Sequence, residues 1–195
     1  MKIDWQYPEP RKGFVGSFDK LIGPGATQAE IVLQLGIPLA ALIIAPLYAA
    51  TLSIEWSLAQ YIICALLAFD IAGGVITNST SSAKRWYHRQ GQTTTNHMIF
   101  ITLHLFHLVL VSWIYLSLDF FWIFYSGGYL LFAAICILLI PQYLQRTVAL
   151  FLYSIALIIS LYVLEAPLGL EWFLPFFYLK LLVSHLIKEE PYRPQ

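Results

Sequence analysis

Apolar and polar positions alternate along this chain in long blocks, not residue by residue. Six apolar blocks, roughly 29–51, 56–77, 97–117, 120–140, 145–164 and 168–187, are separated by polar or turn-forming stretches. Each has about 20 residues, the length a helix needs to cross about 30 Å of hydrocarbon. The runs are continuous and show no in/out alternation, so they read as helices and not as barrel strands. The pattern predicts an all-α integral membrane protein, a six-transmembrane-helix bundle. Residues 1–28 form an N-terminal interfacial segment, 29–188 the helical domain and 189–195 a tail.

The block boundaries carry their own chemistry. In "GPGATQAE", Gly23, Pro24 and Gly25 make a turn, and Thr27 with Glu30 forms a capping box that starts the first helix. Pro141 and Gln142 break the fourth block from the fifth, and Pro167 and Gly169 the fifth from the sixth. Residues 1–28 lack a short apolar core behind basic residues, so the first helix is expected to direct its own insertion. Trp5, Tyr7, Phe14 and Phe18 suit a membrane interface. Composition strengthens the reading: of 195 residues, 59% are hydrophobic and 11% charged, against about 25% charged in average soluble domains. Cys64 and Cys136 lie inside apolar blocks and read as small packing residues.

Net charge is zero, but its distribution is not even. Ten of the eleven basic residues fall in the N-terminal segment, in the second and fourth connections and in the tail; Lys180 lies inside the sixth block. The remaining connections carry Glu55, Asp119, Glu165 and Glu171. The positive-inside bias therefore places both termini in the cytoplasm. The expected compartment is the bacterial cytoplasmic membrane or an equivalent bilayer. "NST" at 78–80 matches a glycosylation acceptor, but that orientation makes the match accidental.

Polar residues inside the blocks are the candidate chemistry. An aspartate inside a membrane helix costs about 2.5–3.5 kcal/mol, so Asp70 must be paired, protonated or in a wet cavity. Gly74, Thr77 and Asn78 share its helix face. Gly73 and Gly74 either draw a helix close or leave room for a ligand. His97, His104 and His107 lie on one stripe of the third block, and Lys180 and His185 on the sixth. Counting about 1.5 Å per residue places Asp70, His104, His107 and Lys180 in one layer, about 10–15 Å deep. Asn78, His97 and His185 form a second layer nearer the cytoplasm. The intervening loop adds Lys84, Arg85, His88 and Arg89, with Trp86 and Tyr87 as headgroup-level anchors.

These residues point to a membrane-embedded enzyme acting on a lipid or other apolar substrate. Asp70, His104, His107 and Lys180 are the candidate catalytic residues. Asn78, Lys84, Arg85, His88, Arg89, His97 and His185 are the candidate substrate-binding residues. Asp70, His104 and His107 could ligate a divalent metal ion with an open water position, and a haem held by two histidines is the weaker cofactor option. The alternatives are a proton-coupled carrier or channel and an assembly subunit with Asp70–Lys180 as an internal ion pair. Membrane lipids are the expected partners, with a homo-oligomer or a membrane complex as further options; no nucleic-acid partner is expected. No HxxxH or HxxHH box is present.

Overall fold

The computed structural model describes residues 2–193. It is helical, and five helices are long and apolar enough to cross a membrane: α2 (Gln28–Ala50), α3 (Leu58–Ser79), α5 (Thr94–Tyr115), α6 (Phe120–Leu139) and α7 (Gln142–Tyr162). Two short helices, α1 (Gly13–Ile22) and α4 (Ser81–Tyr87), precede α2 and α5. The last helix, α8 (Phe173–His185), has α-helical turns over Phe173–Tyr178 and π-helical turns over Leu179–His185. The strands β1 (Lys2–Ile3) and β2 (Tyr192–Arg193) pair antiparallel, with Lys2 opposite Arg193. Pro194 and Gln195 of the expected tail lie outside the described residues.

The helix starts follow from local hydrogen bonding. Thr27 Oγ1 accepts from the Glu30 amide at 3.2 Å, and Glu30 Oε2 accepts from the Thr27 amide at 2.8 Å. This is the capping box that the sequence predicts. Ser57 and Gln60 form a second one at the start of α3, and the Asp119 carboxylate caps α6 by accepting from the Trp122 amide at 3.0 Å. In α5 the ladder tightens at His104: the His104 amide donates to Ile101 O at 3.1 Å and the His107 amide to His104 O at 3.0 Å. Both bonds span three residues instead of four.

The sixth apolar block is the main departure from expectation. The helix begins at Phe173, not near 168, because Pro167 to Trp172 are used in a turn. The Leu170 amide donates to Pro167 O at 2.8 Å, and Gly169 sits at φ +91°, packed where a Cβ would lie 3.0 Å from the Trp56 ring. The thirteen-residue α8 is nonetheless the centre of the bundle, packed by α3, α6 and α7. Phe173, Phe177, Tyr178, Leu181 and Leu182 along it are buried. The outer faces are apolar. Val32, Ile43, Ile44 and Leu47 on α2 and Phe120, Phe124 and Leu139 on α6 are each more than half exposed.

One end of the bundle is closed by a polar cap that hydropathy does not foresee. It joins α1, α4, β1 and β2 where the sequence reading has an interfacial segment, a loop and a tail. Ser82 Oγ donates to Ile22 O at 2.9 Å, and the Ser82 amide donates to Glu30 Oε1, also at 2.9 Å. Glu30 thus starts α2 with one oxygen and holds α4 with the other. The Tyr192 amide donates to Ser81 Oγ at 3.1 Å, and the Asp4 amide to Pro191 O at 2.9 Å. Gly23 is the point where α1 meets α4: its φ is +86°, and a Cβ there would stand 2.2 Å from the Ser82 backbone carbon.

Gly23→Ala should therefore loosen the cap. Strain at positive φ alone costs about 1–3 kcal/mol, and the contact with Ser82 adds to it. Thermal unfolding in detergent should show a lowered midpoint, and limited proteolysis should cut first within residues 5–25. Gly91→Ala is the control, because a Cβ on Gly91, also at positive φ (+91°), meets nothing within 4 Å. It should carry only the conformational part of the loss.

Candidate functional site

Asp70, Lys180 and His107 meet inside the bundle. Lys180 Nζ donates to Asp70 Oδ2 at 2.6 Å, and His107 Nε2 lies 3.1 Å from the same oxygen. Gly74 makes the first contact feasible. The Lys180 stem crosses the α3 backbone there, and a Cβ on Gly74 would lie 2.2 Å from Lys180 Cε. Gly73 has the other expected role, close helix contact: its Cβ would lie 3.2 Å from Pro38 of α2. The two partners differ in exposure, with the Lys180 side chain 4% accessible and that of Asp70 47%. Asp70 thus opens into a hollow while Lys180 is enclosed.

That hollow is a cavity of about 270 Å³ bounded by α1, α2, α3, α5 and α8, with Tyr87 of α4 at its edge. Its polar lining is Gln34, Asp70, Thr77, Asn78, His104 and Lys180, and its walls include Phe18, Phe69 and Phe100. α3 packs against α2 and α8, whereas α5 packs against α6. Polar links therefore tie α3 to α5: Asp70–His107 at one level and, towards the other end, Tyr115 Oη donating to Gln60 O at 2.6 Å. His104 donates from Nδ1 to Phe100 O at 2.7 Å. A carbonyl only accepts, so Nδ1 carries the proton and Nε2 holds the free lone pair. Gln34 is the polar lining residue that sequence reasoning missed. It is 3% exposed, and neither side-chain polar atom has a hydrogen-bond partner among the described residues. Its signal was present: it is the single amide in the first apolar block.

The second expected layer is also brought together, and His88 joins it. His97 Nδ1 lies 3.1 Å from His185 Nε2, and His185 Nδ1 lies 3.4 Å from Asn78 Oδ1. His88 donates from Nε2 to His185 O at 2.9 Å and stacks on the His97 ring with centroids 4.7 Å apart. The π-helical turns matter here. Five residues subtend about 140° beyond a full turn in an α-helix. The wider π turn brings positions five apart nearly into line, so Lys180 and His185 both face α3.

The basic loop residues turn inward more than the sequence suggests. Lys84 Nζ donates to Ser184 O and Ile187 O, both at 2.6 Å, and so caps the end of α8. Burial pushes its pKa down to about 8, with Glu189 opposing the shift. Arg85 is 1% exposed, and its Nε and Nη1 have no partner. Arg89 lies over the Trp86 ring, 3.8 Å from its centroid. Burial pushes His88 down to about 3, with Lys84 as the next contributor.

The metal triad does not assemble. Among the described residues, no three His, Cys, Asp or Glu side chains converge where one metal ion could sit. His104 Nδ1 is committed to a carbonyl, and the Lys180 ammonium occupies the place beside Asp70 where a cation would stand. Nor do two histidines face each other across a haem-sized gap. His97 and His185 touch directly, and His104 and His107 stack with centroids 5.2 Å apart.

Two outcomes follow from this geometry. Removing one partner of a buried ion pair costs about 3–5 kcal/mol when the other is left enclosed. Asp70→Asn leaves Lys180 buried without a counter-charge, whereas Lys180→Met leaves a half-exposed Asp70 still beside His107. Thermal midpoints in detergent should fall more for Asp70→Asn, and the double variant should recover part of that loss. For His88, the folded form stays neutral down to about pH 3, while the unfolded chain takes up a proton near pH 6.5. Its contribution to stability is complete above about pH 6.5 and is lost as pH falls towards 3, by up to about 1.4 kcal/mol per pH unit. The slope of midpoint against pH should flatten in His88→Gln.

No protein-family model, curated protein or solved structure matches this chain.

Proposed function

We propose that the protein is a multi-pass membrane protein whose internal cavity binds the polar end of a lipid-like molecule and performs proton-transfer chemistry on it. The apolar outer faces of α2 and α6 support the bilayer setting. The paired termini support six traversals with both ends on one side. The segment from Gly169 beside Trp56 to Ile187 beside Lys84, with α8 at its centre, supplies the sixth crossing despite the short helix. The cap gathers most of the basic residues, which favours the cytoplasm for that side.

The observation that carries the reading is Gln34. A buried amide with neither donor nor acceptor engaged costs about 1–3 kcal/mol, and here it lines a cavity with an apolar wall. A ligand with both a donor and an acceptor would satisfy it. About 270 Å³ admits a small polar head, so an acyl or prenyl tail would extend between helices into the bilayer. Within the cavity His104 Nε2 is the free base. Asp70 is the carboxylate beside it, oriented by Lys180 and His107, which act as positioning residues. A purely structural role is the second reading, favoured by the close fit of the Lys180 stem on Gly74.

The test is extraction of apolar molecules from protein purified in mild detergent, read by mass spectrometry. The wild type should carry one species in stoichiometric amount. Gln34→Leu should weaken binding about ten-fold, the effect of one lost buried hydrogen bond of about 1.4 kcal/mol, and so reduce the amount retained through purification. Identical extracts from wild type and variant, both folded, would leave the structural reading standing.

A further inference from the structure

The histidine layer borders the cavity on its Asn78 side. On the outer side of that layer is a second hollow of about 660 Å³, lined by Trp5, Tyr7, His88, Arg89, His97 and Lys188. His97 thus borders the outer hollow, and Asn78 borders the inner cavity. Between them stands His185, 3% exposed, bonded to both: 3.1 Å to His97 and 3.4 Å to Asn78. Phe100 lies flat on the His185 ring at 3.9 Å, interplanar angle 18°, and fills the space beside it that water would need.

We propose that His97 and His185 form a proton relay between the outer hollow and the inner cavity. The proposal rests on the reading of that cavity as a site of proton chemistry. The bond directions make the chain oriented. With Asn78 Oδ1 as acceptor, His185 carries its proton on Nδ1 and accepts on Nε2. His97 then carries its proton on Nδ1, and its Nε2 lone pair has no protein partner among the described residues. A proton taken up at His97 Nε2 displaces the Nδ1 proton onto His185 Nε2. The His185 Nδ1 proton then leaves into the inner cavity. One proton enters and one leaves, and both rings end as the opposite tautomer. Rotation of the Asn78 amide presents its NH₂ to His185 and matches that second state. Return of both tautomers resets the chain.

The surroundings favour transit over storage of charge. Lys188 borders the same hollow as His97, His88 stacks on the His97 ring and holds the His185 backbone through its own ring, and Tyr87 packs edge-on to His185. None of these groups is an anion. A resident imidazolium is therefore unstabilised, while a proton in passage is not trapped. The Asn78 amide turns aside at the inner end, so the His185 Nδ1 proton passes directly to cavity water or to a bound ligand, and His104 is a base lining the same cavity.

Solid-state magnetic resonance of histidine-labelled protein in lipid bilayers tests this. The ring N–H of His185 should exchange with D₂O far faster than the backbone amides of α8 around it, despite its burial. His97→Phe should slow that exchange towards the rate of local backbone opening, at least about ten-fold. His97→Gln serves where the Phe variant does not fold. It keeps a donor to His185 but cannot pass a proton, so it should slow exchange as well. Exchange of His185 as slow as its neighbouring amides in the wild type would overturn the relay, as would full-speed exchange in His97→Gln. Extraction of bound molecules in the same His97→Gln protein separates the two proposals: a retained ligand with unaltered exchange rejects the relay alone.

Discussion

Lys180 reaches Asp70 by lying along a backbone that lacks a side chain at Gly74. Much of the interior depends on that placement. The ammonium neutralises the one carboxylate inside the α3 helix and ties the central helix to its largest neighbour. It also leaves the other face of Asp70 free for His107. An enclosed lysine is tolerated because its counter-charge is within 2.6 Å, and an aspartate in an apolar helix because Lys180 donates to it and the His107 ring lies beside it. The Asp70 carboxylate also borders the cavity between α3 and α5.

The π-helical end of α8 links this pair to the histidine layer. A regular helix would turn His185 away from the Lys180 face. The wider turn points both at α3, one towards Asp70 and one towards Asn78. Its carbonyls are left without their usual partners, and buried polar groups must be satisfied. The Lys84 ammonium and the His88 ring from the α4 region supply those donors. The cap therefore does more than cover the bundle. Its basic residues complete the helix that carries the site, which is why they are buried and not displayed to a headgroup.

Five long helices, the Thr27–Glu30 capping box and the approximate helix ends were legible in hydropathy and turn chemistry, because those signals are local. The two polar layers were legible as depths. Asp70 with Lys180, and His97 with His185 and Asn78, are at matched heights when counted at about 1.5 Å per residue. The α1 and α4 helices were not legible. They are short and polar, and they exist by docking on each other through Ser82, Ile22 and Gly23. The metal triad failed for a related reason. Spacing places His104 and His107 on one side of α5, but the His104 hydrogen bond to Phe100 and the 3.1 Å approach of His107 to Asp70 decide where their nitrogens point.

By itself, the amino-acid sequence determined that this chain is a bundle of apolar helices with its ionisable groups confined to particular depths. Burial energetics and backbone satisfaction act block by block and need no knowledge of neighbours. Only the tertiary structure decided which groups touch. It made Gly74 a channel for a lysine stem and Gly73 a contact for a proline. It turned the basic loop into a cap, and it left Gln34 facing a hollow without a partner. Those outcomes depend on helix rotation and on the π turn of α8. They are set by packing between segments far apart in the chain, which a periodic pattern along one segment does not encode.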